Sequence, residues 1–291
     1  MMVKHCHRHR NPLPSSSHHE FTLLFSLSLL ILVLLPHTHA LPLPELESEV
    51  VQHVPNFKLD YFSYLIPQWS RVHQQIQNLR STKTKDTDST PLNYLEVGSF
   101  EGRSSTWLLE NVLNHPESRL TCIDTWDGSD EHSTEEKEGL YERFLHNIHP
   151  YKHKVSVYRG LSGSMLKKPE VWLQQFDFIY IDAGHHSRNA LEDAVLSYPL
   201  LKVEGIMLFD DYLWGQAGYG DERSSGSMTK HHELTLPKKG IDAFLDIYDG
   251  TYLLLDIGYQ LMLQKVTNDI AGTGRLHQEE VSQSYARNAL S

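Results

Sequence analysis

Cysteine is nearly absent from this chain. Its 291 residues include two, Cys6 and Cys122. Removal of the N-terminal segment would leave one, which cannot close an internal disulfide. No Asn-x-Ser/Thr sequon occurs, so a disulfide-rich, glycosylated ectodomain is excluded. Basic residues are scarce: 26 Lys and Arg face 37 Asp and Glu, for a formal net charge of −11. Phosphate recognition needs clustered Lys and Arg, so no nucleic-acid partner is expected. No long run of like charge marks an interaction tail, and no internal repeat marks a solenoid. The 19 histidines lack the thiolates and fixed spacings of a structural zinc site. What is present is ordinary for a globular enzyme: 40% hydrophobic and 22% charged residues can build a core and argue against wholesale disorder.

Residues 1–40 differ in composition from the rest. Lys4, Arg8 and Arg10 make a basic start, and Phe21 to Leu35 is apolar apart from Thr22, Ser26 and Ser28. Those 15 residues fall short of the roughly 20 that span a bilayer as a helix. Pro36 ends the run, and Thr38-His39-Ala40 puts small residues where a signal peptidase reads. The expectation is a signal peptide cleaved after Ala40, with an uncleaved signal anchor and an organelle leader as alternatives. Loss of Lys4, Arg8, Arg10 and Glu20 would take the net charge from −11 to −13. The expected destination is the secretory pathway or the cell exterior, with membrane contact only if the leader stays on.

Beyond the leader, residues 41–92 read as an N-terminal helix and linker. Leu65, Trp69, Val72, Ile76 and Leu79 lie on one helical face, with Pro67 in the first turn. Ser81 to Pro91 is a polar loop. From Asn93 strands and helices alternate. Strands are expected at Tyr94–Val97, Leu120–Ile123, Val155–Tyr158, Phe178–Ile181 and Ile206–Phe209. Helices are expected around Ser105–Val112, Glu138–Ile148, Leu191–Tyr198 and Gly240–Tyr248, followed by a hairpin, Tyr252–Ile257 with Gln260–Val266. This order predicts an α/β domain over 93–266. Its sheet is mostly parallel, helices cover both faces, and the final hairpin adds an antiparallel edge. Residues 267–291 read as a flexible tail. Leu213–Lys239, polar and rich in glycine and serine, reads as a lid or an insertion.

Parallel sheets bind ligands at the carboxyl ends of their strands, and the chemistry-bearing residues fall there. Glu96-Val97-Gly98-Ser99-Phe100-Glu101-Gly102 leads from a strand through a glycine turn into a helix. Gly98 permits the turn, and Gly102 permits close approach of a ligand to the helix start. Asp124, at the end of the next strand, is placed to grip ribose hydroxyls, or to cap a turn. Asp182 ends one later strand, and Asp210-Asp211 end the next. Three converging carboxylates repel unless a cation or protons compensate. Oxygen ligation without cysteine suits magnesium before calcium or manganese. His185, three residues beyond Asp182, could take a proton from a substrate hydroxyl. His186 reads as a plain loop residue, and Glu192 and Asp193 as a solvated helix face.

Four ordered motifs now resemble a known family: Glu96-Val-Gly98-x-x-x-Gly102, Ile123-Asp124-Thr-Trp126, Tyr180-Ile-Asp182-x-Gly184-His185, and Leu200-Leu-Lys202-x-x-Gly205-x-x-x-Phe209-Asp210-Asp211. They are similar to those of class I S-adenosylmethionine-dependent methyltransferases, in the family 24 branch that includes macrocin O-methyltransferase-like enzymes. The resemblance covers about Asn93 to Val266. It implies a Rossmann-like sheet of seven strands with the last antiparallel. It further implies cofactor contacts from Glu96, Gly98, Ser99, Gly102, Asp124, Trp126, Ser162 and Asp182, with Trp126 and the Gly160–Ser162 turn flanking the adenine. It implies magnesium on Asp182, Asp210 and Asp211, and His185 as the base. Glu204 stands where such enzymes commonly have glycine, which should be harmless on a turn, and the leader is unusual for them.

The expected activity is S-adenosylmethionine-dependent O-methylation of a small-molecule or sugar hydroxyl, assisted by magnesium. Two alternatives remain. One is a nicotinamide-dependent oxidoreductase on a similar sheet, against which the absent third glycine counts. The other is a secreted binding protein that kept the fold without catalysis. A homo-oligomer stays open.

Overall fold

A computed structural model describes residues 53–81, 90–129, 132–216 and 234–268. The leader, the glycine-rich stretch 217–233 with its His231-His232 pair, and residues 269–291 lie outside the described residues. Among the described residues no helix is long and apolar enough to cross a membrane.

The chain enters through a short 3₁₀ turn, Ser63–Leu65, into helix α1, Ile66–Ser81. Seven strands follow: β1 (Asn93–Val97), β2 (Arg119–Asp124), β3 (Val155–Arg159), β4 (Phe176–Ile181), β5 (Leu201–Phe209), β6 (Tyr252–Ile257) and β7 (Leu261–Lys265). Between them lie α2 (Arg103–Asn111), α3 (Thr134–Lys137), α4 (Leu140–Ile148), α5 (Ser162–Met165), α6 (Pro169–Trp172), α7 (Ser187–Ser197) and α8 (Lys238–Ile247). The strands stand in the order β3-β2-β1-β4-β5-β7-β6. The first five pair parallel, and β7 runs antiparallel to both of its neighbours. The order reverses at β1 and β4, which places a ligand crevice beyond their carboxyl ends.

Alternation along each strand sorts the core into two layers. Tyr94, Leu120, Cys122, Phe178, Tyr180, Ile206 and Leu208 face α1, α2 and α4. Leu95, Val97, Ile123, Ile179, Ile181, Met207 and Phe209 face α5–α8. Helix α1 belongs to the first layer: Trp69 is 1% exposed and meets Tyr180 edge-on, ring centres 4.7 Å apart.

The expected antiparallel last strand is present: the hairpin forms one end of the sheet, with β7 between β5 and β6. Leu261, Met262 and Leu263 are buried and need cover on both faces, whereas β6 exposes Leu254 and Ile257 and tolerates the margin. Two details depart from the sequence reading. The helix expected over Glu138–Ile148 begins at Leu140, after Gly139 in the left-handed region, and α3 precedes it, closed by a Ser133–Glu136 capping box. Glu204 sits not on a free turn but at φ +71° within the irregular start of β5, a conformation that costs a side chain about 1 kcal/mol.

Candidate active site

The strand ladder runs one residue past the strands and so aims the loops. Gly98 N–H donates to Ile123 O, Asp182 N–H to Val97 O and Asp210 N–H to Ile181 O, at 2.8–2.9 Å. Gly98 adopts φ +91°, and a Cβ there would fall 1.8 Å from Asp182 O. No other residue lets the β1 and β4 loops approach so closely. The two loops open a cavity of about 570 Å³ that continues past the ends of β2 and β5.

At one end of this cavity lie Gly98, Ser99, Asp124 and Ser162. Asp124 organises the turn. Its Oδ2 accepts the Ser99 and Phe100 amides at 2.8 and 2.9 Å, and its Oδ1 accepts the Trp126 amide at 2.7 Å. Glu96 lies beneath the loop, fully buried, and accepts the hydroxyls of Ser99 (2.8 Å), Ser104 and Ser105 and the Cys122 thiol. Burial pushes its carboxyl up, and those four donors hold it back. Gly102, at φ +78°, leaves room for Phe144, which a Cβ would meet at 2.9 Å.

The structure thus divides the residues expected to touch a cofactor. Gly98, Ser99, Asp124, Ser162 and Asp182 line the cavity; Glu96, Gly102 and Trp126 do not. Trp126 is 3% exposed, packs on Tyr141 and Phe144, and donates its indole N–H to Phe100 O at 2.9 Å. Its backbone is left-handed, φ +54°, and its ring lies in the core outside the cavity.

At the other end Asp182, His185, Asp210 and Asp211 converge, as their sequence positions predict. Asp182, His185 and Asp211 each offer one donor atom within 4.8 Å of the others. His185 Nε2 stands 3.0 Å from Asp211 Oδ2, and the His185 ring leans on Trp214, centres 5.0 Å apart. Asp211 Oδ1 accepts the Tyr259 hydroxyl. Asp210 is turned away from this trio. Its Oδ1 accepts the Asp211 amide at 2.8 Å, and its Oδ2 contacts the Tyr180 hydroxyl, which also reaches Asp182 Oδ2 at 2.9 Å. Burial, with Asp211 alongside, pushes Asp210 up to about 6; burial, with Asp210 and Asp211, drives Asp182 well above the carboxylate range.

Sequence reasoning gave no role to Tyr180, Tyr259, Tyr64 or Trp214. Tyr180 carries a legible signal, a hydroxyl near the end of the otherwise apolar run Phe178–Ile181; the others reach the site only through tertiary packing. His186 is exposed at the cavity rim, just before α7. Asp193, read as solvated, is 1% exposed, and neither carboxylate oxygen has a hydrogen-bond partner. Residue 193 follows the buried face of α7, with Ala190, Ala194 and Ser197.

Comparison with known proteins points to the same segment as this geometry. Residues 95–212 match the family model described as a methyltransferase domain. The match spans the glycine loop, Asp124, His185 and all three acidic-end carboxylates. Within 123 residues the chain is 31% identical to the O-methyltransferase hkm8 of Aspergillus hancockii, covering 42% of this chain and 44% of that protein. It is 24% identical over 139 residues to an uncharacterized protein of Acanthamoeba polyphaga mimivirus, covering 47% and 57%. The chain therefore spans about half the length of the curated relatives it matches. Among solved structures, the O-methyltransferase from Bacillus cereus in complex with SAH is 19% identical, with 68% of this chain and 81% of that one covered and a TM-score of 0.43. None of these likenesses favours the nicotinamide-dependent alternative.

Proposed function

We propose that this chain transfers a methyl group from S-adenosylmethionine to a hydroxyl of a small molecule or sugar. The observation that carries the reading is one continuous cavity, with the glycine loop and Asp124 at one end and His185 among carboxylates at the other. The likeness to a named O-methyltransferase supports oxygen as the acceptor atom.

Bound S-adenosylmethionine would supply the methyl group already activated on a sulfonium sulfur. The chain's own residues have three tasks. Gly98 and Ser99 shape the turn against which the cofactor lies. Asp124 retains acceptor capacity beyond its three amide bonds and can take ribose hydroxyls. Glu96, Gly102 and Trp126 hold that turn from beneath without touching the ligand. His185 takes the acceptor proton, and Asp211, 3.0 Å away, offsets the charge of the resulting imidazolium.

A magnesium-type cation fits the acidic end. Such ions are commonly held by one or two carboxylates plus water, and Asp182 and Asp211 are the two whose oxygens converge beside His185. Held there, the cation would lower the pKa of the acceptor hydroxyl. Asp210 would support Asp182 through Tyr180 and not coordinate directly. Residues 1–40 would direct the protein to the secretory pathway, and N-terminal sequencing of the expressed protein should begin at Leu41.

The test is calorimetry followed by turnover. S-adenosylhomocysteine should bind and NAD should not. Labelled methyl from S-adenosylmethionine should appear in an acceptor, and chelation should stop it while leaving S-adenosylhomocysteine affinity unchanged. Binding of NAD alone would overturn the reading. Full turnover after chelation would remove the metal from it.

A further inference from the structure

Two segments outside the matched residues 95–212 close on the acidic end: the turn between β6 and β7, and helix α1. Strand register places the turn. In the antiparallel pair of β5 with β7, Ile206 stands opposite Gln264 and Phe209 opposite Leu261. Continued past the last pair, that register sets Gln260 opposite Asp210 and Tyr259 opposite Asp211. The contacts follow it. Leu213 N–H donates to Tyr259 O at 3.2 Å, and the Tyr259 hydroxyl donates to Asp211 Oδ1.

Helix α1 seats this turn. Gln260 is buried, and its Oε1 accepts the indole N–H of Trp69 at 3.2 Å. One position earlier, Gln68 Nε2 donates to Asp256 Oδ2 on β6 at 3.1 Å. Gly258 N–H donates to Gln260 O at 2.9 Å and closes the turn. Tyr259 is therefore carried on a short turn, tied on one side to the exit of β5 and on the other to a buried tryptophan.

Asp211 requires a partner of this kind. At φ +56° its backbone is left-handed, and a side chain persists in that conformation where its surroundings over-determine it. The torsion that turns a carboxylate is broad, so the backbone alone leaves the direction of its oxygens open. With Oδ1 on Tyr259, Oδ2 faces His185 Nε2 at 3.0 Å. In this orientation Asp211 joins Asp182 and His185 in one group whose donor atoms lie within 4.8 Å of one another.

We propose that Tyr259 is a positioning residue of the acidic end: its hydroxyl fixes the rotation of the Asp211 carboxylate, so that the second oxygen stays aimed at His185 and Asp182. The proposal deepens the methyl-transfer reading above and rests on the cation assigned there to Asp182 and Asp211. Groups that orient a metal ligand from behind are worth about 10–100-fold in metal affinity.

The test uses the full chain with two probes: Mn²⁺, followed by the electron paramagnetic resonance of the free ion, and S-adenosylhomocysteine, followed by calorimetry. Wild type should bind both. Tyr259→Phe removes one oxygen and keeps the ring; it should weaken Mn²⁺ about 10–100-fold with S-adenosylhomocysteine affinity unchanged. Tyr252→Phe removes a β6 phenol that bonds Leu245 O at 3.0 Å, and it should leave both affinities unchanged. Unchanged Mn²⁺ affinity in Tyr259→Phe, or equal weakening in Tyr252→Phe, overturns the proposal and leaves the cation in place. Loss of S-adenosylhomocysteine binding in Tyr259→Phe makes the hydroxyl a prop of the fold and overturns the proposal too. Absence of Mn²⁺ binding in wild type overturns the cation and this proposal with it. Failure of wild type to bind S-adenosylhomocysteine overturns the methyl-transfer reading, while the Mn²⁺ comparison still decides the role of Tyr259.

Discussion

Asp193 is a carboxylic acid placed where a carboxylate is poorly tolerated. It is 1% exposed on α7 and faces α5, and neither oxygen has a hydrogen-bond partner. Burial raises its pKa to about 7, with Glu192 adding to the rise. The consequence for stability has a definite sign. A raised acid binds its proton more tightly in the folded state, so its contribution is intact below the unfolded value near 3.8 and is lost as pH climbs to about 7. At about 1.4 kcal/mol per pH unit, the whole loss approaches about 4 kcal/mol, most of it between pH 5 and 8. Asp193→Asn removes the titration while keeping the shape. Urea unfolding of wild type and variant at pH 5 and pH 8, at one ionic strength, isolates the effect from every other titrating group. The variant's stability relative to wild type should rise by about 2–3 kcal/mol between those pH values. A difference that stays constant with pH would refute the reasoning and leave Asp193 ionised in place. Because Ser162 begins α5 at the cavity edge, S-adenosylhomocysteine affinity measured across the same range would show whether the protonation reaches the site.

Three further outcomes follow from the same geometry. His185→Ala should slow turnover about 10²–10⁴-fold, the usual worth of a positioned base, with S-adenosylhomocysteine affinity unchanged in calorimetry. Arg143→Met leaves Glu101 buried without its partner, and a loss of about 3–5 kcal/mol should appear in urea unfolding; the Lys58 and Leu59 amides, which donate to Glu101, should exchange faster with deuterium. Gly98→Ala forces a Cβ to 1.8 Å from Asp182 O at φ +91°, so this variant should fail to fold or to bind S-adenosylhomocysteine. Gly258→Ala, whose Cβ would have no neighbour nearer than 3.8 Å, should behave as wild type in both assays.

How much was legible beforehand depended on the range of the interaction that carries it. The five parallel strands were readable because each combines a short apolar run with a flanking turn, and β4, Phe176–Ile181, is buried along its whole length. The glycine turn was readable because one residue type alone satisfies its backbone. The acidic end was readable because strand ends in a parallel sheet share one edge, so Asp182, Asp210 and Asp211 had to be neighbours. Side-chain direction was not readable at that level. Asp210 and Asp211 are adjacent in sequence, yet Asp211 meets His185 while Asp210 meets Tyr180. Positive φ at Asp211, +56°, separates their directions.

Sequence by itself determined the order of the elements, the mostly parallel sheet, and which strand ends carry the candidate residues, since these follow from periodicity and local backbone preference. Tertiary structure alone decided which candidates face the cavity. It turned Trp126 inward onto Phe144, set Glu96 beneath the loop, buried Asp193 between helices, and placed β7 inside the sheet with β6 at its margin. It also brought Tyr61 and Tyr64 to the mouth of a site whose loops begin more than 30 residues later in the chain. No local pattern encodes that contact, because it depends on how Arg143 and Asn147 from α4 and Glu101 from the loop before α2 close around the strap that leads into α1.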